Sequence, residues 1–216
     1  SFRIFESVLM ESKKLKSESK NIARFLFLAF AFLLFTSSTP TINELQKHCK
    51  DTYGTAKLTD FIYISISEQK LYLFRDNAFV KVYPVSTSKY GIGTEENSLK
   101  TPLGLHYIRD KNGAGTPLGG ILVNGRYTGS QAYIEKEAKD TGKDEVTTRI
   151  LWLMGCELGS NRGKGNDSYC RKIYIHGTPE EGLIGKPASH GCVRMKNTDV
   201  IDLYGKTTLG MYVLIK

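Results

Sequence analysis

The sequence is short of the residues that staple or punctuate a chain: 216 residues include only six prolines, four cysteines, four histidines and one tryptophan. No CxxC or HxxxH spacing is present, so the pattern of a structural zinc module is missing. A zinc site built from His176, His190 and Cys192 would have to stand on ligand type alone. Internal repeats and low-complexity tracts are also lacking, which excludes a repeat array and, with 40% hydrophobic residues, a disordered chain. The glycine-rich stretch Gly155 to Gly165, with Lys164, lacks the GxxxxGK[ST] order and reads as a substrate loop or plain turn instead of a phosphate cradle. The longest apolar run, Phe25 to Phe35, falls well short of the roughly 20 residues a membrane-crossing helix needs.

That run is informative all the same. It follows a basic stretch, and residues 1–24 hold six basic side chains against three acidic ones. Basic residues followed by a short apolar core are the layout of a secretory signal, and Thr36, Ser37 and Ser38 are small enough for cleavage without having the A-x-A form. Residues 1–38 therefore read as a basic region plus an apolar helix that is either a cleaved signal peptide or a retained anchor. Both place the rest of the chain outside the cytoplasm, in the cell envelope, secreted or held in the inner membrane. The formal net charge is +8, and the part beyond residue 24 is itself basic, which suits a polyanionic partner without choosing among nucleic acid, anionic lipid and cell wall.

Residues 39–60 are polar and read as a spacer with a short helix over Ile42 to Cys49. From Phe61 the pattern is that of strands: Phe61 to Ile66, Lys70 to Arg75 and Ala78 to Ser86, joined by turns at Ser67 to Gln69 and at Asp76-Asn77. Further strands fit Leu105 to Ile108, Ile121 to Val123, Ile150 to Met154, Arg171 to His176 and Met211 to Ile215. A surface helix or lid fits Gln131 to Lys139, and a helix capped by Asn197 or Thr198 runs to Tyr204, with Gly205 ending it. The expected fold is mainly β, an antiparallel sandwich or barrel-like sheet with one or two short helices, filling residues 61–216 as one domain.

The chemistry concentrates in Arg171 to Met195, RKIYIHGTPEEGLIGKPASHGCVRM. A histidine ends a strand, and sixteen residues on a cysteine closes a Ser-His-Gly-Cys tetrad. A thiol is mostly protonated at neutral pH, so a cysteine nucleophile needs a base within reach, and His176 supplies it for Cys192. A depressed Cys192 pKa and fast alkylation are the corresponding expectation. Strand alternation puts Tyr174 and His176 on one face, with Ile173 and Ile175 on the other. Gly191 removes a side chain before the nucleophile and frees the Gly191 and Cys192 N–H groups for an oxyanion. Arg194 is placed to hold a substrate carboxylate, and Ser189, Asn161 and Arg162 join it as candidate substrate contacts. Cys170 lies too far along an extended strand to pair with His176, at about 20 Å. Cys156 and Cys170 flank one loop and either form a disulfide or stay unpaired. His48, His106 and Cys49 read as structural, and the pair Glu180-Glu181 as exposed.

These segments resemble the catalytic signature of the L,D-transpeptidases, the YkuD-type domain of bacterial cell-wall enzymes. The likeness covers roughly Phe61 to Lys216, including IYISISEQKLYLFRDNAFVKVYPVS, the TPLG turn, IYIHGT, SHGCVRM and NTDVIDLY. It implies attack of Cys192 on a peptidoglycan stem peptide, release of D-alanine and resolution of a thioester by an amine. A second stem gives a 3,3 crosslink, an envelope protein gives a tethered protein, and water gives an L,D-carboxypeptidase. The resemblance further implies that the Gly177 carbonyl orients His176 and that His190 shapes the oxyanion site. It implies no metal or organic cofactor and no nucleic-acid partner, with membrane contact only through the N-terminal segment. Other readings of the same residues are a sortase-like transpeptidase or protease, against which the tetrad argues, and a non-catalytic wall-binding protein.

Overall fold

The computed structural model describes residues 41–54 and 58–216, and the apolar run expected to form an N-terminal helix lies outside them. No helix among the described residues is long and apolar enough to cross a membrane.

The described chain opens with helix α1, Ile42–Tyr53. Strands β1 (Phe61–Ser65), β2 (Lys70–Arg75) and β3 (Ala78–Pro84) follow as the expected meander, in antiparallel register. Asp76 and Asn77 turn the β2–β3 hairpin with φ of 50° and 60°, the pair of left-handed residues that matches strand twist. Then come β4 (Gly104–Asn112), β5 (Gly120–Val123), β6 (Arg126–Gln131), β7 (Thr147–Gly155), β8 (Tyr174–Gly177), β9 (Val193–Met195), helix α2 (Asn197–Lys206) and β10 (Tyr212–Ile215). In space the sheet runs β3-β2-β1-β10-β4-β7-β5-β6, with β8 beside β7 and β9 beside β8.

Three expectations need correction. The sheet is mixed, because β1 pairs with β10 and β8 with β9 in parallel; the first pairing joins strands far apart in sequence, and the second crosses a loop, which no local pattern reveals. The segment expected as a spacer folds onto the sheet. Leu45 and Cys49 of α1 are buried against Phe61, Tyr63, Tyr72 and Phe74, while Ile62 and Ile64 face the opposite side, into the main core with Val200 and Leu203 of α2. Both faces of β1 are thus covered, and all five residues of FIYIS are buried.

The third correction concerns Gln131 to Lys139, where no helix forms. Long-range backbone bonds take the groups a helix would use: Ala132 N–H goes to Gly119 O at 2.9 Å and Glu135 N–H to Pro179 O at 2.7 Å. The segment lies so close to Gly182 that a Cβ there would come within 2.0 Å of Glu137 O. Helix α2 forms as expected and runs one residue past Gly205. Asn197 serves it differently from a cap, since its side chain accepts from the Thr147 and Thr148 hydroxyls at 2.7 and 2.5 Å and donates to Thr178 O at 2.8 Å. This knots the start of α2 to the bulged start of β7.

Candidate active site

Strand β8 sits between β7 and β9, and its alternation sends Ile175 into the main core and Tyr174 into a smaller cluster with Leu122, Ile150, Trp152 and Cys192. His176 shares the Tyr174 side, its ring edge-to-face with Tyr174 at 6.4 Å, and is fully buried. Its Nδ1 lies 2.7 Å from Gly177 O. A carbonyl only accepts, so Nδ1 carries the proton and Nε2 keeps a lone pair. That Nε2 is buried without a hydrogen-bond partner.

Cys192 immediately precedes β9, whose register sets Val193 beside Ile175 and Arg194 beside His176. The nucleophile candidate is therefore level with Tyr174. Its Sγ accepts from Tyr174 N–H at 3.4 Å and donates to Lys172 O at 3.3 Å.

The turn before it is tightly braced. Ser189 Oγ donates to Cys192 O at 2.6 Å and accepts from Gly191 N–H at 3.2 Å. Thr101 Oγ1 donates to Gly191 O at 3.0 Å, so the TPLG turn braces the loop that carries Cys192. Gly191 holds φ of +120°, and a Cβ there would meet Lys100 O at 3.4 Å. Ser189, expected as a substrate contact, is fully buried in this brace. The Gly191 N–H, expected to face an oxyanion, is directed to Ser189 Oγ.

The Arg194 side chain is 2% exposed, with Nη1 2.7 Å from Glu180 Oε2 and Nη2 2.6 Å from Asp144 Oδ1, so its guanidinium is paired with carboxylates of the same chain. Glu180, expected to be exposed, is 1% exposed and also accepts from Thr141 N–H and Oγ1 at 2.6 Å each. Asn161 is buried too, its amide donating to Leu103 O at 3.0 Å and Leu105 O at 3.2 Å, which staples its own loop. Arg162 is exposed on that loop.

His190 stacks on Tyr90 at 5.7 Å, its Nδ1 3.0 Å from Asp144 Oδ2. Asp144 was missed in the sequence, where it is one charge in a polar run. The only signal that could have found it is that a buried Arg194 needs counter-ions.

Burial pushes the His176 imidazole down to about 4, against the opposing pull of Asp144 and the Gly177 carbonyl. Burial likewise pushes the Cys192 thiol up to about 12, with Asp144 adding to it, and the Tyr174 N–H, Arg194 and Arg171 working the other way. The expectation of a depressed thiol is thereby reversed, and the resting pair is thiol and neutral imidazole.

All four cysteines are free, Cys156 half-buried and Cys170 exposed, so the Cys156–Cys170 disulfide is not formed. Among the described residues no three histidine, cysteine or acidic side chains converge on a metal position, His176, His190 and Cys192 included. Beside the site, a cleft of about 280 Å³ is lined by Ile121, Tyr133, Glu135, Lys143, Glu145 and Glu180 among others.

The profile of the YkuD family, the L,D-transpeptidase catalytic domain, matches residues 59–215. A Bacillus subtilis (strain 168) protein, YqjB, which carries an L,D-transpeptidase name, is 45% identical over 53 residues, covering 24% of this chain and 28% of that protein. Among solved structures, an L,D-transpeptidase from Mycobacterium smegmatis is similar at 15% identity and a TM-score of 0.44, over 73% of this chain and 58% of that one. One from Xylanimonas cellulosilytica is similar at 18% identity and 0.46, over 74% and 62%. The chain thus spans less than two thirds of each of these relatives.

Proposed function

Because this chain belongs to the YkuD family of L,D-transpeptidase catalytic domains, we propose that it is a cell-envelope enzyme acting on peptidoglycan stem peptides, with Cys192 as nucleophile and His176 as base. The observation that carries this reading is the state of His176: Nδ1 is pinned to Gly177 O, and Nε2 is buried with its lone pair unused. A buried acceptor with no donor is costly, and a structural histidine would be expected to find one. His106 does, its two ring nitrogens lying 3.1 Å from Gly104 O and 3.0 Å from Ser168 Oγ.

In the proposed reaction the Cys192 Sγ–H proton passes to His176 Nε2 as sulfur attacks the donor carbonyl. The backbone N–H of Cys192 serves the oxyanion, since that of Gly191 is occupied. Collapse of the tetrahedral species expels D-alanine, whose amine takes the proton from His176, and leaves a thioester on Cys192. An acceptor amine then loses its proton to His176 and attacks the thioester; collapse of this second tetrahedral species forms the amide, breaks the C–S bond and expels the Cys192 thiolate, which takes the proton back from His176. With thiol and imidazole both neutral at rest, the ion pair exists only while substrate is reacting, which spares the free enzyme adventitious alkylation.

The test is incubation of the protein with purified disaccharide-tetrapeptide beside a Cys192→Ala control, with products read by mass spectrometry. Crosslinked dimer with free D-alanine supports transpeptidation, and tripeptide alone makes the enzyme an L,D-carboxypeptidase. Unchanged substrate in both samples removes the donor assignment and favours protein tethering or simple wall binding.

A further inference from the structure

The carboxylate of Asp144 touches both flanks of the nucleophile turn and nothing in the signature announces it. Oδ2 accepts His190 N–H at 2.9 Å and faces His190 Nδ1 at 3.0 Å, two residues before Cys192. Oδ1 accepts Arg194 Nε at 2.8 Å and Nη2 at 2.6 Å, two residues after it. Arg194 is in turn the cross-strand neighbour of His176. One side chain from the segment before β7 thus spans the turn that presents the thiol.

The same carboxylate is close enough to act on both members of the pair. The charged groups that bear on His176 are Asp144 and Arg194, and those that bear on Cys192 are Asp144, Arg194 and Arg171. Glu180 takes the other end of Arg194, so Arg194 meets two carboxylates and the cluster keeps a net negative charge beside the base. That excess is what an imidazolium forming at His176 needs, because Gly177 O offers a dipole and no charge.

Resting on the reading that Cys192 and His176 react, we propose that Asp144 is a positioning residue for the pair: it clamps both flanks of the Cys192 turn and supplies the negative charge against which His176 takes up the thiol proton. It does not touch the reacting atoms.

The experiment compares the full chain with its Asp144→Asn variant. On the tetrapeptide donor, kcat is expected to fall about tenfold or more while KM stays within about twofold, the pattern of an interaction made in the transition state. Iodoacetamide alkylation of Cys192 at pH 8 is expected to speed up severalfold, since the thiolate loses a repelling neighbour. The kcat/KM of the variant is expected to stay flat from pH 7 to 5, because His176 remains buried and loses a charge that favoured its protonation. A merely structural role gives another signature: a loosened, wetter site moves the acid limb up toward the ordinary histidine range, near 6.5. That outcome, an unchanged kcat or an unchanged alkylation rate overturns the proposal. Should Asp144→Asn fail to fold, Asp144→Glu is read instead: retained charge predicts alkylation like the parent's and less than about tenfold loss of kcat, and a severalfold faster alkylation overturns the charge role. Alkylation needs no wall substrate, so a parent enzyme inert on tetrapeptide removes the reading above and leaves this arm to decide.

Discussion

At Gly191 the backbone turns through φ of +120°, where a side chain is strained whatever space it finds. Gly191→Ala is expected to cost about 1–3 kcal/mol and to swing the thiol out of line, so denaturant unfolding should show a modest loss and turnover a severe one. In the proposed mechanism His176 sets the pH response of the chemistry. An imidazole held down to about 4 stays unprotonated, and so competent as a base, far below the usual histidine range; kcat/KM is expected to hold steady from pH 7 to 5 and fall only as pH approaches 4. An acid limb near 6.5 would contradict the buried base. The sequence brings Cys192 and His176 to one side of neighbouring strands β8 and β9, as strand alternation and a loop folding back between them suggest. The charge states were not legible. The crowd of His176, His190 and Arg194 around Cys192 in sequence suggests a depressed thiol, but burial is a property of packing, and it reverses the sign.

Elements were legible where their pattern is local. The β1 to β3 meander follows from alternation and an Asp-Asn turn, and α2 from the terminal signals at Asn197-Thr198 and Gly205. Segments whose bonds are long-range were not, which is why Gln131 to Lys139 reads as a helix or lid and is instead part of an extended strap, residues 132–146, pinned to residues 178–182 and 190–194. Arg194 is the rivet of that strap. Arg194→Met removes the cation shared by Asp144 and Glu180, and leaving those buried charges unpaired is expected to cost about 3–5 kcal/mol in urea unfolding. Helix α1 makes the same point from the opposite end of the chain. Its sequence is polar enough to pass for a linker, but Leu45 is 4% exposed and Cys49 fully buried over β1 and β2. Leu45→Ala is expected to lose about 2–4 kcal/mol, whereas a linker leucine would register no change.

For the whole molecule, acid sensitivity is set by histidines that fold in neutral. His106 and His176 are both held down to about 4 by burial, below the value near 6.5 of an unfolded chain. The unfolded state therefore takes up protons first as pH drops, so stability is full above about 6.5 and drains between there and about 4. The loss is up to roughly 3 kcal/mol for each of the two. Thermal midpoints at pH 7 and pH 5 should differ accordingly, and a His106→Asn variant should lose part of that difference.

The placement of β10 governs the order in which the sheet can be built. It lies between β1 and β4, pairing Leu214 with Tyr63 on one side and with Leu105 on the other. Until residues 212–215 have left the ribosome, the meander and the ladder around β4 and β7 are two half-sheets with raw edges and no seam between them. Closing that seam brings together strands more than a hundred residues apart, a slow search that local contacts cannot shorten.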